Sequence, residues 1–260
     1  MFMHVPRTGG TTLTALLAAA VGDDVVCPEK FNDLPLWPAG LLARYRIFAG
    51  HFDRVTIDVI PGARKKVITL LRDPRSRIIS TYRFWRIHRR ELAVRDNLTA
   101  VLAAIDLDFL SFLQEMPKIA IHDIDNMYAR VFGGFVPISG EPDAVRQAPL
   151  EALGGGQHLL VEATRFLDQC AAVGVLEEFS RSVSVIFAAL NLPAPKNEIA
   201  ALLRTDDLND PTMYEPAGEF EITSEAEAEI DKLTRYDRVI YQHAVKLLNR
   251  LSQEAIAQQS

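Results

Sequence analysis

Phe2-Met-His-Val5 leads through Pro6-Arg-Thr-Gly-Gly10 into Thr11-Thr-Leu-Thr-Ala-Leu-Leu-Ala-Ala-Ala20. A short apolar run, a glycine turn and a stretch of strong helix formers predict a strand, a loop and a helix in that order. A turn at such a junction offers backbone N–H groups and the positive end of a helix, and together these attract a phosphate.

Downstream, Ile47-Phe-Ala-Gly-His51 reads as a second short strand and Lys66-Val-Ile-Thr-Leu-Leu71 as a third, apolar and rich in branched residues. Continuous apolar strands predict a parallel sheet covered on both faces. Asp73-Pro74 ends the third strand, and residues 75–94 follow with helical periodicity through Ile78, Ile79, Tyr82, Phe84 and Trp85. Residues 98–116 are helical as well. Gln157-His-Leu-Leu-Val161 is a candidate fourth strand, and Ala172-Val-Gly-Val-Leu176 a fifth. Residues 178–190 form a helix that stops before Pro193, and residues 224–252 one long amphipathic helix opened by a capping box of Ser224 and Glu227. Strands alternating with helices, with no repeat or low-complexity linker, predict a single α/β domain over residues 1–260, a central parallel sheet flanked by helices. The acidic stretch 205–223 is read as the mobile segment.

A chain of 260 residues can bury a full core, and 48% hydrophobic with 24% charged residues excludes disordered and fibrous classes. The 28 basic and 34 acidic side chains leave −6, which argues against coating nucleic acid. That average hides an island: residues 64–95 hold eleven Lys or Arg against Asp73 and Glu91 alone. An anion is expected near it. Cys27 and Cys170 are too few for a metal cluster or a disulfide framework and read as small buried hydrophobes in a reducing compartment. With no run of eighteen apolar residues and no leader pattern, a cytoplasmic protein without a membrane span is expected.

Matching Gly10-Thr11-Thr12 to the Gly-Lys-Ser/Thr that ends a nucleoside-triphosphate loop puts threonine where the lysine belongs. The cation stands instead at Arg7, and no second acidic metal ligand is evident. Sulfuryl transfer uses such a loop without the lysine or the metal. Pro6-Arg7-Thr8-Gly9-Gly10-Thr11-Thr12 resembles the 5′-phosphosulfate loop, Pro-Lys-Thr-Gly-Gly-Thr-Thr, of the PAPS-dependent sulfotransferases (PAPS is 3′-phosphoadenosine-5′-phosphosulfate), and especially the heparan sulfate 2-O and 6-O branch. Arg for Lys is the core departure. About 65 residues on, Leu71-Arg72-Asp73-Pro74 with Ser80 on the next helix resembles that family's 3′-phosphate site. Weaker likenesses lie at Asp125-Asn126 to Arg130 before Gly133-Gly134, at Val173 to Phe179, and at Tyr236-Asp237 to Ala244. These are structural signatures, and no catalytic role is carried over from them.

The resemblance implies a P-loop-like sulfotransferase fold and transfer of a sulfuryl group from PAPS to a hydroxyl, on a carbohydrate, leaving adenosine 3′,5′-bisphosphate, with no metal. It implies Arg7 at the bridging oxygen, Thr8, Gly9, Gly10, Thr11 and Thr12 around the 5′-phosphate, and Arg72 with Ser80 on the 3′-phosphate. Arginine keeps the lysine's charge but cannot give up a proton. A general base is needed for the hydroxyl, and His51 in Phe48-Ala-Gly-His-Phe52 stands where the related glycosaminoglycan enzymes place theirs. His122 beside Asp123 is the second candidate; His4 reads as a strand residue, His88 as solvated or an acceptor contact, and His158 and His243 as structural. Arg83, Arg86 and Arg90, spaced three and four apart, form either a solvated cationic face or a cleft for an anionic acceptor. Tyr82 and Trp85 are either core or sugar-stacking surface. The family has more of the first strand ahead of the loop than the five residues before Pro6, so a short strand or a truncated start is expected. Without an anchor, a bacterial protein is expected. Two other readings stay open: a nucleoside-triphosphate-dependent small-molecule kinase, and a non-catalytic nucleotide or anionic-glycan binding protein.

Overall fold

A computed structural model describes the chain except residues 32, 53, 55, 63, 64, 135–147, 196–209 and 258–260. Four short parallel strands, β1 (Phe2–His4), β2 (Ala49–Gly50), β3 (Ile68–Leu71) and β4 (Ala172–Val175), form one sheet in the order β2-β1-β3-β4. The register sets Met3 against Gly50 and Thr69, and Leu70 against Gly174. Every residue of β3 and β4 is buried, and because successive side chains point to opposite faces, both faces are covered. Thr69 survives in the middle because its hydroxyl donates to the Met3 carbonyl across the ladder at 2.8 Å.

The longer helices are α1 (Gly10–Val21), α2 (Pro74–Arg86), α3 (Thr99–Asp106), α4 (Phe109–Ile119), α5 (Met127–Gly133), α6 (Gly156–Gln169), α7 (Phe179–Leu190), α8 (Ser224–Leu233) and α9 (Arg235–Ala257). The main core joins the sheet to α1, α5, α6, α7 and α9. A second core joins α2, α3, α4 and α8 around Tyr82, Phe109, Phe112 and Met116, and a third packs Cys27, Leu34, Leu42, Phe48 and Phe52 beside β2. Tyr82 therefore belongs to the core, and Trp85 packs against it. Both cysteines are free, with Cys27 buried. No helix among the described residues is long and apolar enough to cross a membrane.

Four sequence expectations are corrected. Residues 157–161 are helix, not a fourth strand: Leu159, Ala163, Phe166 and Leu167 share one buried face of α6, while Val161 points out at 44% exposure. The helix expected over 75–94 ends at Arg86, because residues 87–89 pair with an incoming segment instead. Arg89 N–H donates to the Met213 carbonyl and Glu215 N–H to that of Ile87. The terminal helix is also divided, at Thr234, where the Leu233 carbonyl is taken by Asn126 N–H from across the core. The cap of α8 is Thr223, whose hydroxyl accepts from Ala226 N–H, and not Ser224. Of the stretch read as mobile, residues 205–209 lie outside the described residues, and residues 210–220 run along the end of α2.

Candidate active site

The order β2-β1-β3-β4 sends the chain from β1 to one side and from β3 to the other. Open parallel sheets bind ligands in the crevice created at that switch, beyond the carboxyl ends of the strands. Residues 5–9 leave β1 there, His51 follows β2, Arg72 follows β3, and Glu177 lies just past β4.

The loop is shaped by close approach. Arg7 has φ 66° and Gly9 φ 85°, both left-handed, a conformation that costs a residue with a side chain. A methyl group on Gly10 would lie 1.9 Å from the His4 ring, so any larger residue there must displace that ring. Thr8, wholly buried, donates its hydroxyl to the Val5 carbonyl at 2.8 Å and closes the turn from inside. Beyond Gly9 the first turn of α1 has no side-chain cap and no acid. The positive end of its dipole therefore lies at the crevice with no acid beside it. Thr11 is exposed at this end and Thr12 buried.

Arg7 lies across the crevice rather than out in solvent. Its Nε donates to Ser80 Oγ at 3.2 Å, and its guanidinium covers the Phe84 ring at 4.3 Å, one turn further along α2. Burial first, and the charge of Arg72 second, lower its pKa, while the Tyr214 phenol raises it; a guanidinium stays protonated regardless. Arg72 reaches back with Nη1 to the Arg7 carbonyl at 3.4 Å. Asp73 does not neutralise it. That carboxylate accepts from Ser76 N–H at 2.8 Å as the cap of α2, and Asp73 N–H donates to Glu177. Among the described residues neither Arg7 nor Arg72 takes part in an ion pair.

His51 sits at the open end of β2, its ring 4.8 Å from that of His4. Its Nδ1–H donates to the His4 carbonyl at 2.6 Å, since a carbonyl can only accept. In the neutral ring this leaves the Nε2 lone pair available to take a proton. Burial holds its pKa below 6.5, partly offset by the His4 carbonyl and the Asp123 carboxylate. His4 is pulled down to about 3, chiefly by burial, and is neutral. Its ring fills the space at Gly10, so the same residue spaces the loop and orients His51. His122 pairs with its neighbour Asp123 at 3.3 Å, and His243 with Asp168 at 2.9 Å. His88, just past α2, donates back to the Phe84 and Trp85 carbonyls and packs edge-on against Tyr214.

The basic island is mostly built into the fold. Arg75 pairs with Glu227, Arg90 with Asp106 and Arg95 with Asp96, Lys66 donates to the Ala189 carbonyl, and Arg77 is buried. Arg64 lies outside the described residues. Arg83 and Arg86 lie over Phe220, Arg86 donating to the Gly218 carbonyl, and both line an open cavity of about 560 Å³ with residues 217–220. Arg90 stands on the short helix after the break and does not join them.

Three participants were not legible as site residues: Phe84, Tyr214 and Tyr128, whose hydroxyl meets the backbone of Arg72. Phe84 stands one helical turn after Ser80, and Tyr128 lies in the stretch Asp125 to Arg130 noted as a structural signature only.

No family model matches the chain. Over 100 residues it is 33% identical to a protein-tyrosine sulfotransferase of Arabidopsis thaliana, a stretch that makes up 38% of this chain and 20% of that protein. The chain that carries this crevice is thus similar, in part, to a sulfotransferase.

Proposed function

We propose that the protein transfers a sulfuryl group from PAPS to a hydroxyl acceptor and releases adenosine 3′,5′-bisphosphate, using residues 1–260 as one domain of the P-loop-like sulfotransferase fold. The observation that carries this reading is the uncapped, acid-free start of α1 facing two arginines that are in no ion pair among the described residues. Such an arrangement suits a ligand with two separated anionic groups. The amides of Gly9 to Thr12 and the Thr11 and Thr12 hydroxyls hold the 5′-phosphate; Arg72 and Ser80 hold the 3′-phosphate. Ser80 accepts from Arg7, so its own hydrogen is left to donate.

In the transfer, the acceptor oxygen bonds to sulfur as its proton passes to His51 Nε2, and the bond from sulfur to the bridging oxygen breaks. The electron pair stays on that oxygen, where Arg7 and the loop amides meet the charge. Arg7 acts by charge alone. The resemblance to the glycosaminoglycan branch supports a carbohydrate acceptor, with Arg83 and Arg86 along its path. The partial likeness to a protein-tyrosine sulfotransferase supports a second acceptor, a tyrosyl phenol.

Labelled PAPS offered with a panel of oligosaccharides and tyrosyl peptides tests the reading. Label should move to one class and be lost in His51→Ala, which still binds adenosine 3′,5′-bisphosphate. Nucleotide binding with no transfer to any hydroxyl makes the protein a binder instead.

A further inference from the structure

Beyond β3 the sheet ends, and the N–H and C=O of Arg72 no longer have a strand to pair with. One side chain serves both. The Tyr128 hydroxyl accepts from Arg72 N–H at 3.0 Å and donates to the Arg72 carbonyl at 2.6 Å, which a phenol can do because its oxygen accepts while its hydrogen is given away. Tyr128 is wholly buried, and burial raises its pKa, so the proton that this clamp requires stays in place. The ring is fixed in turn. Tyr128 stands in the first turn of α5, whose start is held on α9 by Asn126 Oδ1 accepting from Tyr236 N–H at 2.7 Å and by Asp237 Oδ1 accepting from Ala129 N–H at 3.0 Å.

The neighbouring strand ends the same way: Ser182 on α7 accepts from Val175 N–H at 2.8 Å and donates to the Val175 carbonyl at 2.9 Å. A hydroxyl bridging one residue's N–H and C=O thus finishes both β3 and β4. At β4 the residue so held is apolar, and the effect is on the fold alone. At β3 it is the arginine that reaches the Arg7 carbonyl with one end of its guanidinium.

We propose that Tyr128 is a positioning residue for recognition of the nucleotide's 3′-phosphate: it fixes the backbone of Arg72 so that the guanidinium is presented to that phosphate. The proposal rests on the assignment of Arg72 to the 3′-phosphate. A forked, two-bond contact with a phosphate depends on alignment, so releasing the backbone should weaken the contact without removing the charge.

The test compares two probes by calorimetry, adenosine 3′,5′-bisphosphate and adenosine 5′-phosphate, which differ only in the 3′-phosphate. In the native protein the first should bind much more tightly. In Tyr128→Phe that preference should fall about tenfold, by loss of affinity for the bisphosphate alone, the size of effect that orienting partners have at other sites. Ser182→Ala, which removes the same device one strand away, should lower the Tm and leave the preference unchanged. In an Arg72→Ala background Tyr128→Phe should add no further loss of preference. An equal loss for both probes, a like loss in Ser182→Ala, or a Tyr128→Phe chain that does not fold each overturns the proposal. A native protein that shows no preference for the 3′-phosphate overturns the underlying assignment of Arg72 instead.

Discussion

Arg7 and His51 divide the proposed chemistry between a fixed charge and a titrating base. Arg7 is held at a positive φ with its guanidinium between Ser80 and Phe84, so its position is set by packing rather than by a counter-charge. Arg7→Ala should lower kcat by about 10²–10³, the usual effect of removing one group from a developing oxyanion, and weaken nucleotide binding less. Steady-state kinetics beside calorimetry separate the two. His51 must be neutral to act. Its pKa is held below 6.5 by burial, so kcat/KM should be flat above that pH and fall only on the acid side of it. A limb centred above pH 6.5 would assign the base elsewhere. Both residues were legible in the sequence from their place in a motif. Tyr128 was not, because its part depends on a hydroxyl meeting a strand end 56 positions away, and no local pattern encodes that contact.

At the level of elements, the strand, glycine turn and helix at the start of the chain were legible because the apolar run, the glycine pair and the Ala- and Leu-rich stretch each have a strong local preference. Gly10 shows how little room the turn has. Gly10→Ala should cost about 1–3 kcal/mol, as crowding in packed sites does, and displace the His4 ring that orients His51. A Tm lowered by several degrees together with a loss of turnover larger than the loss of nucleotide affinity is the expected pair of results. Asp73→Ala should remove about 1 kcal/mol with the cap of α2, and about 2–4 °C of Tm. Where local preference was ambiguous, tertiary contacts decided. Gln157 to Val161 is a run that either a strand or a helix accepts, and the residues that settle it, Ala163, Phe166 and Leu167, come later. Helical periodicity continues past Arg86, yet residues 213–215 take the backbone bonds that a longer helix would have made. Thr223 and Ser224 are both good caps, and pairing with Ala226 N–H selects the first.

For the whole molecule, charge and topology together direct an anion to one crevice. The sequence showed a cationic island in an acidic chain but not how it is used. Most of its members hold acids or carbonyls of the fold, and Arg72 is set at the crevice where the strand order reverses. That place was legible only in part, since strand order depends on contacts between distant segments. Because Arg7 and the loop amides supply the proposed charge stabilisation, turnover should be unchanged by a strong chelator; loss of activity restored by Mg²⁺ would support the kinase reading. The central claim is that this crevice recognises a nucleotide by separate 5′ and 3′ anionic groups, and thermal unfolding with saturating adenosine 3′,5′-bisphosphate or ATP with Mg²⁺ tests it most directly. The account predicts a large rise in Tm with the bisphosphate and little with ATP; equal shifts, or a larger one with ATP, would contradict it.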